Sequence, residues 1–212
     1  VVAEAGRSQR AEQVDATRQL LLGTAERLFA EQGLYAVSNR QISAAAGQGN
    51  NAAVGYHFGT KADLVRAILL RHTAPMEALR APLLERAKRT GELRDWVECL
   101  VRPLTDHLSA QDGPTWFARF CAQVLADPTF RPLAESDALT SPALQEVLEG
   151  LRGCLAELPE PTSTARRDMV RLLLVHGMAE HELAAPEPDW ETIARTTVDA
   201  ITGLLLAPVS PG

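Results

Sequence analysis

The sequence predicts an all-α chain of about nine helices in two modules, and three observations carry that prediction. Strand signals are almost absent: aromatics make up only 5% of the chain, while Ala, Leu, Glu and Arg, all strong helix formers, are plentiful. Punctuation is uneven, with all 13 prolines at or after Pro75 and five of the 14 glycines between Gly33 and Gly59. The early part therefore turns tightly, and the later part starts and stops its helices on proline. Apolar residues recur at helical spacing through most segments.

Each element has its own reason. The first helix, over 11–32, has the stripe Leu21, Ala25, Leu28 and Phe29 and stops at Gly33. Ser38-Asn39-Arg40-Gln41 forms a capping box that opens a short second helix to residue 46, with Ile42 and Ala45 inward and Gly47 at its end. Asn50 can cap a third helix over 50–57 with Val54 and Phe58 as its buried side, closed by Gly59. Thr60-Lys61-Ala62-Asp63 is a second capping box, starting a long helix with Leu64, Ile68 and Leu69 inward that runs past Pro75 as far as Arg89. Five more helices follow over 92–110, 114–127, 140–158, 163–184 and 189–206, with Asp127–Ser141 as a connecting loop.

Composition narrows the class. With 46% hydrophobic and 23% charged residues, the 212-residue chain is neither disordered nor fibrous, and it is long enough to bury a core without staples. Cys99, Cys121 and Cys154 are an odd number with no CxxC pair, so neither a disulfide framework nor a zinc module is expected, and a reducing cytoplasm fits. No apolar run approaches the roughly 18 residues of a membrane span, and the polar start has no signal-peptide core, so the expectation is a protein neither inserted nor exported. Residues 1–72 carry net charge +2 and the remainder −8. A polyanion would be met by the first third and repelled by the rest.

Helix, tight glycine turn and short helix is the pattern of a helix-turn-helix, here over 38–46 and 50–57 with Gly47 at the corner. The surrounding residues sharpen it: Ala25, Leu28, Phe29 and Gly33 in A-x-x-L-F-x-x-x-G, Ile42, Ala45, Ala46 and Gly47 in I-x-x-A-A-G, and Tyr56 to Leu64 in Y-H-F-G-[ST]-K-x-x-L. In this order and spacing, over about 50 residues, the chain resembles the N-terminal DNA-binding domain of the tetracycline-repressor (TetR) family. The resemblance implies a helix-turn-helix domain over 11–59 and an effector-binding and dimerisation domain over 60–208. Two departures stand out. Gly47-Gln48-Gly49-Asn50 resembles the family turn enlarged by one residue, and Gly55 falls where family members commonly place a phosphate-contacting tyrosine, with Tyr56 one position later as the substitute.

On DNA, the start of the third helix would present Gln48, Asn50, Asn51, Ala52 and Ala53. An asparagine can bond adenine through N6 and N7, and an alanine methyl can meet a thymine methyl, so contacts biased to A·T pairs are expected. Asn50 serves equally as helix cap, which makes Asn51 the better base reader. Arg40 and Gln41 begin the second helix, where family members approach phosphates or an outer base, although Gln41 is also drawn into its capping box. Lys61 in the first turn of the fourth helix offers an ammonium beside free amides, a phosphate seat. His57 can touch a phosphate or pack the corner, and Arg7, Arg10 and Arg18 read as solvated charge or as an arm reaching the minor groove.

For the body, the resemblance implies an effector pocket between the fifth and eighth helices, with the fourth helix as lever. The wall residues would be Trp96, Leu100, His107, Trp116, Phe117 and Phe120 on one side and Met169, Leu173 and His176 on the other, with Arg119 as anion partner. Each of these reads equally as plain core. The apolar last two helices fit a homodimer interface over 163–206 built as a four-helix bundle, or simply the core of a large α domain. Taken together, the expectation is a ligand-responsive transcriptional regulator, a repressor released by a small molecule, without cofactor or metal. The alternative is a helical small-molecule-binding protein or enzyme without DNA activity. Three weaker patterns carry little: Gly47, Gly49 and Ala52 mimic a dinucleotide loop but follow helix-type residues, His176, Glu180 and His181 lack HExxH spacing, and no catalytic arrangement can be assigned.

Overall fold

The computed structural model describes residues 2–138 and 140–209, with side chains from residue 12 onward. Among these residues there are ten helices and no strand: α1 Val2–Gln32, α2 Asn39–Ala45, α3 Ala53–Phe58, α4 Lys61–Thr90, α5 Leu93–Ser109, α6 Phe117–Ala126, α7 Arg131–Ala138, α8 Pro142–Cys154, α9 Glu160–Ala184 and α10 Trp190–Leu206. They form two compact units, Val1–Arg71 and His72–Gly212.

In the first unit, Leu21, Leu22, Ala25, Leu28 and Phe29 of α1 are all buried. Gly33, at φ +89°, ends the helix by donating its amide to the Phe29 carbonyl at 2.9 Å. Ile42, Val54, Phe58, Leu64, Val65 and Ile68 complete a core shared by all four helices. The start of α4 groups with this unit because its inward face packs there. On α2 the inward residues are Ile42, Ser43 and Ala46; Ala45, expected inward, is exposed, a one-residue rotation of the expected face.

Three boundaries differ from the sequence expectation. Helix α1 begins at Val2, nine residues earlier than expected, so Arg7 and Arg10 lie on helical backbone and their side chains lie outside the described residues. Helix α3 begins at Ala53 rather than 50, because Asn50 folds a preceding turn: its Oδ1 accepts the Ala52 amide at 2.9 Å and its carbonyl accepts the Ala53 amide at 3.0 Å. The expected loop 127–141 contains α7, which makes ten helices where about nine were expected. Asp127 Oδ1 accepts the Thr129 and Phe130 amides at 2.8 and 3.1 Å just ahead of it, and Phe130 and Ala134 are buried. Pro132, which reads as a breaker, sits in the first turn, where a helix has no use for its missing N–H.

In the second unit α5 packs chiefly on α10 and α8, and α6 on α9. Helix α10 buries Trp190, Ile193, Ala194, Thr197, Val198, Ile201 and Leu205 along one face. Its ends are fixed by charge. Asp189 Oδ1 accepts the Thr192 amide at 3.0 Å, and the buried Arg166 donates to the Leu205 carbonyl at 2.7 Å and to the Ala207 and Pro208 carbonyls, placing a cation at the negative end of the helix dipole. Across α5 and α10, Arg102 forms a bidentate pair with Glu191 at 3.0 and 3.1 Å, and Arg94 meets Asp199 at 2.6 Å. No helix among the described residues is long and apolar enough to cross a membrane.

Candidate nucleic-acid interface

The corner between α2 and α3 is built by local hydrogen bonds. Ser38 Oγ accepts the Gln41 amide at 3.3 Å, while Gln41 Oε1 accepts the Ser38 amide at 2.8 Å and its hydroxyl at 2.7 Å, so the expected capping box is formed. At the other end, Gly47 takes φ +67°, a left-handed conformation in which an L side chain is strained. Its amide reaches the Ala44 carbonyl at 3.0 Å and the next amide, Gln48, the Ser43 carbonyl at 2.9 Å. The enlarged turn is tied back by the buried Ser43, whose Oγ donates to the Asn51 carbonyl at 3.4 Å.

What this corner presents outward is neutral and small. Asn51, Ala52, Gly55 and Tyr56 are exposed, Tyr56 at 82%, and a Cβ at Gly55 would meet nothing within 4 Å. A flat backbone face bearing an amide, a methyl and a phenol is accessible to a groove. Ala53, expected among the contacts, is buried at 7% and belongs to the core instead. Arg40 is exposed in the first turn of α2.

The side-chain amides differ in what they have left to offer. Gln41 Oε1 is held by Ser38, Gln48 Nε2 donates to the Ala46 carbonyl at 3.3 Å, and Asn50 Oδ1 holds the Ala52 amide. Asn51 is exposed, and its side chain enters none of these bonds. His57 is half-buried between Tyr56, edge-on at 5.1 Å, and Phe58 at 6.2 Å. Arg18 stacks its guanidinium 5.0 Å above the Phe58 ring from within α1, so it is part of the helical unit and not of an arm.

Lys61 is turned inward. Its Nζ donates to the Leu34 carbonyl at 2.7 Å and the Val37 carbonyl at 2.9 Å, and lies 5.8 and 5.9 Å from the Phe29 and Tyr35 rings. Burial lowers its pKa below the ordinary lysine value. The ammonium expected at a phosphate thus staples the α1–α2 connection, with one proton left to offer. The second capping box is formed as expected: Asp63 Oδ2 accepts the Thr60 amide at 3.1 Å and hydroxyl at 2.6 Å, and Thr60 Oγ1 accepts the Asp63 amide at 3.1 Å. These bonds hold the Asp63 carboxyl below the usual carboxylate range. Between α1 and α4 runs an open groove lined by Arg18, Leu22, Asp63, Arg66, Leu70 and Arg71, three arginines against one acid.

In the body, the residues expected to line a pocket separate into two groups. Trp96, His107, Phe117 and Phe120 are buried on α5 and α6, with Leu100 and the α6 N-cap residue Trp116 partly so. Met169 and Leu173 are instead 52% and 37% exposed, and His176 is exposed, all on the α9 face opposite its packed side, so they do not meet the aromatic group. Arg119 is not available for an external anion, because Glu182 takes it: Oε2 accepts Arg119 Nε at 3.3 Å and the Arg119 amide at 2.9 Å, and Oε1 accepts the Ala118 amide at 3.2 Å. A side chain from α9 therefore caps α6, which has no side-chain cap of its own.

Sequence reasoning missed the partner at the centre of the aromatic group. His72 Nδ1 and His107 Nε2 are hydrogen-bonded at 2.7 Å with both rings buried, and Phe117 stacks on His72 at 3.8 Å. Nothing local marks His72, which is one imidazole in a charged helix until α5 and α6 close over it. Among the described residues no three His, Cys, Asp or Glu come together to hold a metal.

Residues 21–68 match the sequence model of the bacterial regulatory proteins, tetR family. No curated protein sequence matches the chain. Among solved structures the chain is similar to the TetR family transcriptional regulator PfmR from Thermus thermophilus, at 22% identity over 85% of this chain and 96% of that one, with a TM-score of 0.55. It is also similar to the multidrug binding protein EbrR, at 21% identity over 91% and 92% with a TM-score of 0.49, and to a TetR-family transcriptional regulator from Streptomyces coelicolor, at 21% over 89% and 94% with a TM-score of 0.46. The first of these likenesses shows a shared fold over most of both chains.

Proposed function

Because residues 21–68 match the model of the tetR family of bacterial regulatory proteins, we propose that the chain is a regulator of that kind, a cytoplasmic homodimeric repressor that binds a palindrome-like operator and is released by a small molecule. One observation carries the reading: α3 and the turn before it hold their apolar residues inward and leave Asn51, Ala52, Gly55 and Tyr56 exposed on a backbone pinned by Ser43 and Gly47. In a helix-turn-helix this is the surface that enters the major groove. Asn51 is the base reader with an A·T preference, Gln48, Asn50, Tyr56, His57 and Arg40 supply backbone and outer contacts, and Lys61 acts first as the staple of the corner.

One such corner offers few contacts, so useful affinity requires two. The exposed apolar face of α9 supports a dimer through 163–206, which would set two recognition elements about 34–36 Å apart on successive turns of the duplex. For the effector, the aromatic group His107, Phe117 and Phe120 around His72 is the place where an aromatic compound would be taken up, since a ligand preferring one state weakens DNA binding by the ratio of its two affinities.

The test is selection of bound duplexes from a random pool by the full chain, followed by titration of the enriched site at several salt concentrations. Enrichment of a two-fold site with A·T pairs at a fixed half-site position, and a binding constant falling steeply with salt, is the expected result. Absence of salt-sensitive binding to any duplex would instead favour a helical binding protein or enzyme without DNA activity. With the site in hand, Phe120→Ala is expected to alter release by compounds that shift the melting temperature, with ligand-free DNA affinity kept within about threefold.

A further inference from the structure

The exposed apolar stripe of α9 contains two polar residues, and their placement restricts how a second copy can fit. We infer that α9 pairs antiparallel with its counterpart in a second copy of this chain, about a two-fold axis level with residue 178, so that each His176 imidazole donates to Glu180 of the partner subunit. The inference rests on the dimer reading above and deepens it by fixing the register.

Met169, Leu172, Leu173 and Leu183 are 52%, 46%, 37% and 63% exposed, and His176 and Glu180 are exposed with them. At 100° per residue these six positions fall in an arc of about 100°. The buried Ser163, Val170, Met178 and Glu182 occupy the other side of the helix, and the buried Arg166 and Ala179 border the stripe on its two edges. Four large apolar side chains in one stripe are a face that calls for a partner, and its composition identifies the partner as itself.

In an antiparallel two-fold pair, two residues come level when the mean of their numbers equals the axis position. With the axis at 178, Leu173 is level with Leu183 of the second copy, Leu172 with Ala184 and His176 with Glu180, so that apolar meets apolar and donor meets acceptor, while Met169 lies past the end of the partner helix. Moving the axis to 176 joins Met169 to Leu183 but sets Leu172 against Glu180 and His176 against its own copy, leaving both carboxylates without a donor. An axis midway between 174 and 175 sets Met169 against Glu180 and Leu173 against His176. An axis at 171 joins Met169 to Leu173 but levels His176 with Arg166 and carries Glu180 to the first turn of the partner helix, opposite Thr162. Only the first register gives the carboxylate, set in an apolar seam, a donor to offset its desolvation. Because the two-fold axis repeats the contact, each dimer has it twice.

Sedimentation equilibrium of the full chain and its variants tests the register. His176→Glu sets two carboxylates level at both contacts and is expected to raise the dimer dissociation constant about 10- to 100-fold. Adding Glu180→Lys to the same chain re-creates opposite charges across the seam and is expected to restore the constant to within about threefold of wild type. Both positions are exposed, and an unchanged melting temperature of the monomeric fraction shows that the fold is kept. A dimer indifferent to His176→Glu, or a double variant as weak as the single one, overturns this register while leaving dimerisation standing. A wild-type chain that is monomeric at micromolar concentration overturns both.

Discussion

The two units satisfy their polar groups over different distances along the chain. In the first, Ser38 pairs with Gln41, Thr60 with Asp63, and Asn50 with Ala52, all within three residues, and Lys61, reaching the Leu34 and Val37 carbonyls, is the long-range exception. In the second, Glu182 reaches back to Ala118 and Arg119, Arg166 reaches forward to Leu205, Ser141 donates to Glu77, and His72 meets His107. Local bonds form as soon as a turn forms, whereas bonds between distant residues hold only while the helices carrying them stay packed. Breaking a polar group should therefore cost the second unit much more than the first.

The largest effect is expected at Glu182, whose side chain is 1% exposed. Glu182→Leu leaves the Arg119 guanidinium with the Thr115 carbonyl but no carboxylate, and removes the acceptor of two amides at the start of α6. The expected loss is about 3–5 kcal/mol, read from urea unfolding of the full chain. A loss under about 1 kcal/mol would show that α6 is held by its apolar face alone and would erase the contrast between the units. Next is Gly150, where an added Cβ would stand inside the buried Trp96 ring. The ring is rigid and packed, so Gly150→Ala is expected to cost about 1–3 kcal/mol and to shift the tryptophan emission.

Gly47 sharpens the comparison from the other side. A Cβ there meets open space, so Gly47→Ala costs only the strain of φ +67°, about 1–2 kcal/mol, although the residue sits at the functional corner. Its effect on duplex binding should exceed its effect on stability, because relieving the strain swings Asn51 away. Ser38→Ala, which removes one side of a capping box, is expected to cost about 1 kcal/mol. Thermal unfolding followed by circular dichroism reads both losses.

The same contrast explains what the sequence could and could not disclose. Both capping boxes, the glycine stops at Gly33, Gly47 and Gly59, and the buried face of α1 depend on neighbours within a turn or two, and each was legible. Lys61 was misread because its partners, the carbonyls of Leu34 and Val37, lie more than twenty residues away and its motif points to a phosphate. Arg119 reads as an effector's anion partner because Glu182, which takes it, lies 63 residues away, and Met169, Leu173 and His176 read as interior because a helix apolar on both faces does not reveal which one its own chain covers. Helix α7 was hidden by Pro128 and Pro132, which break helices everywhere except at their starts.

The smallest expected effect is one of pH, at Asp63. Its carboxylate accepts the Thr60 amide and hydroxyl while fully in contact with water, and those hydrogen bonds lower its pKa from the ordinary aspartate value. A group whose folded pKa is depressed binds fewer protons when folded. Its stabilising contribution is thus complete above the ordinary carboxylate range, near pH 4, and disappears as pH falls through the lower folded value. Asp63→Asn keeps the shape and removes the charge, so the urea midpoints of the two proteins should differ at pH 6 and approach one another as pH falls below the ordinary aspartate value. A difference that stays constant with pH would mean that the carboxylate titrates normally and that the helix start is held by Thr60 and Lys61 instead. The start of α4 would then depend on the long-range contact of Lys61 more than on its own capping box.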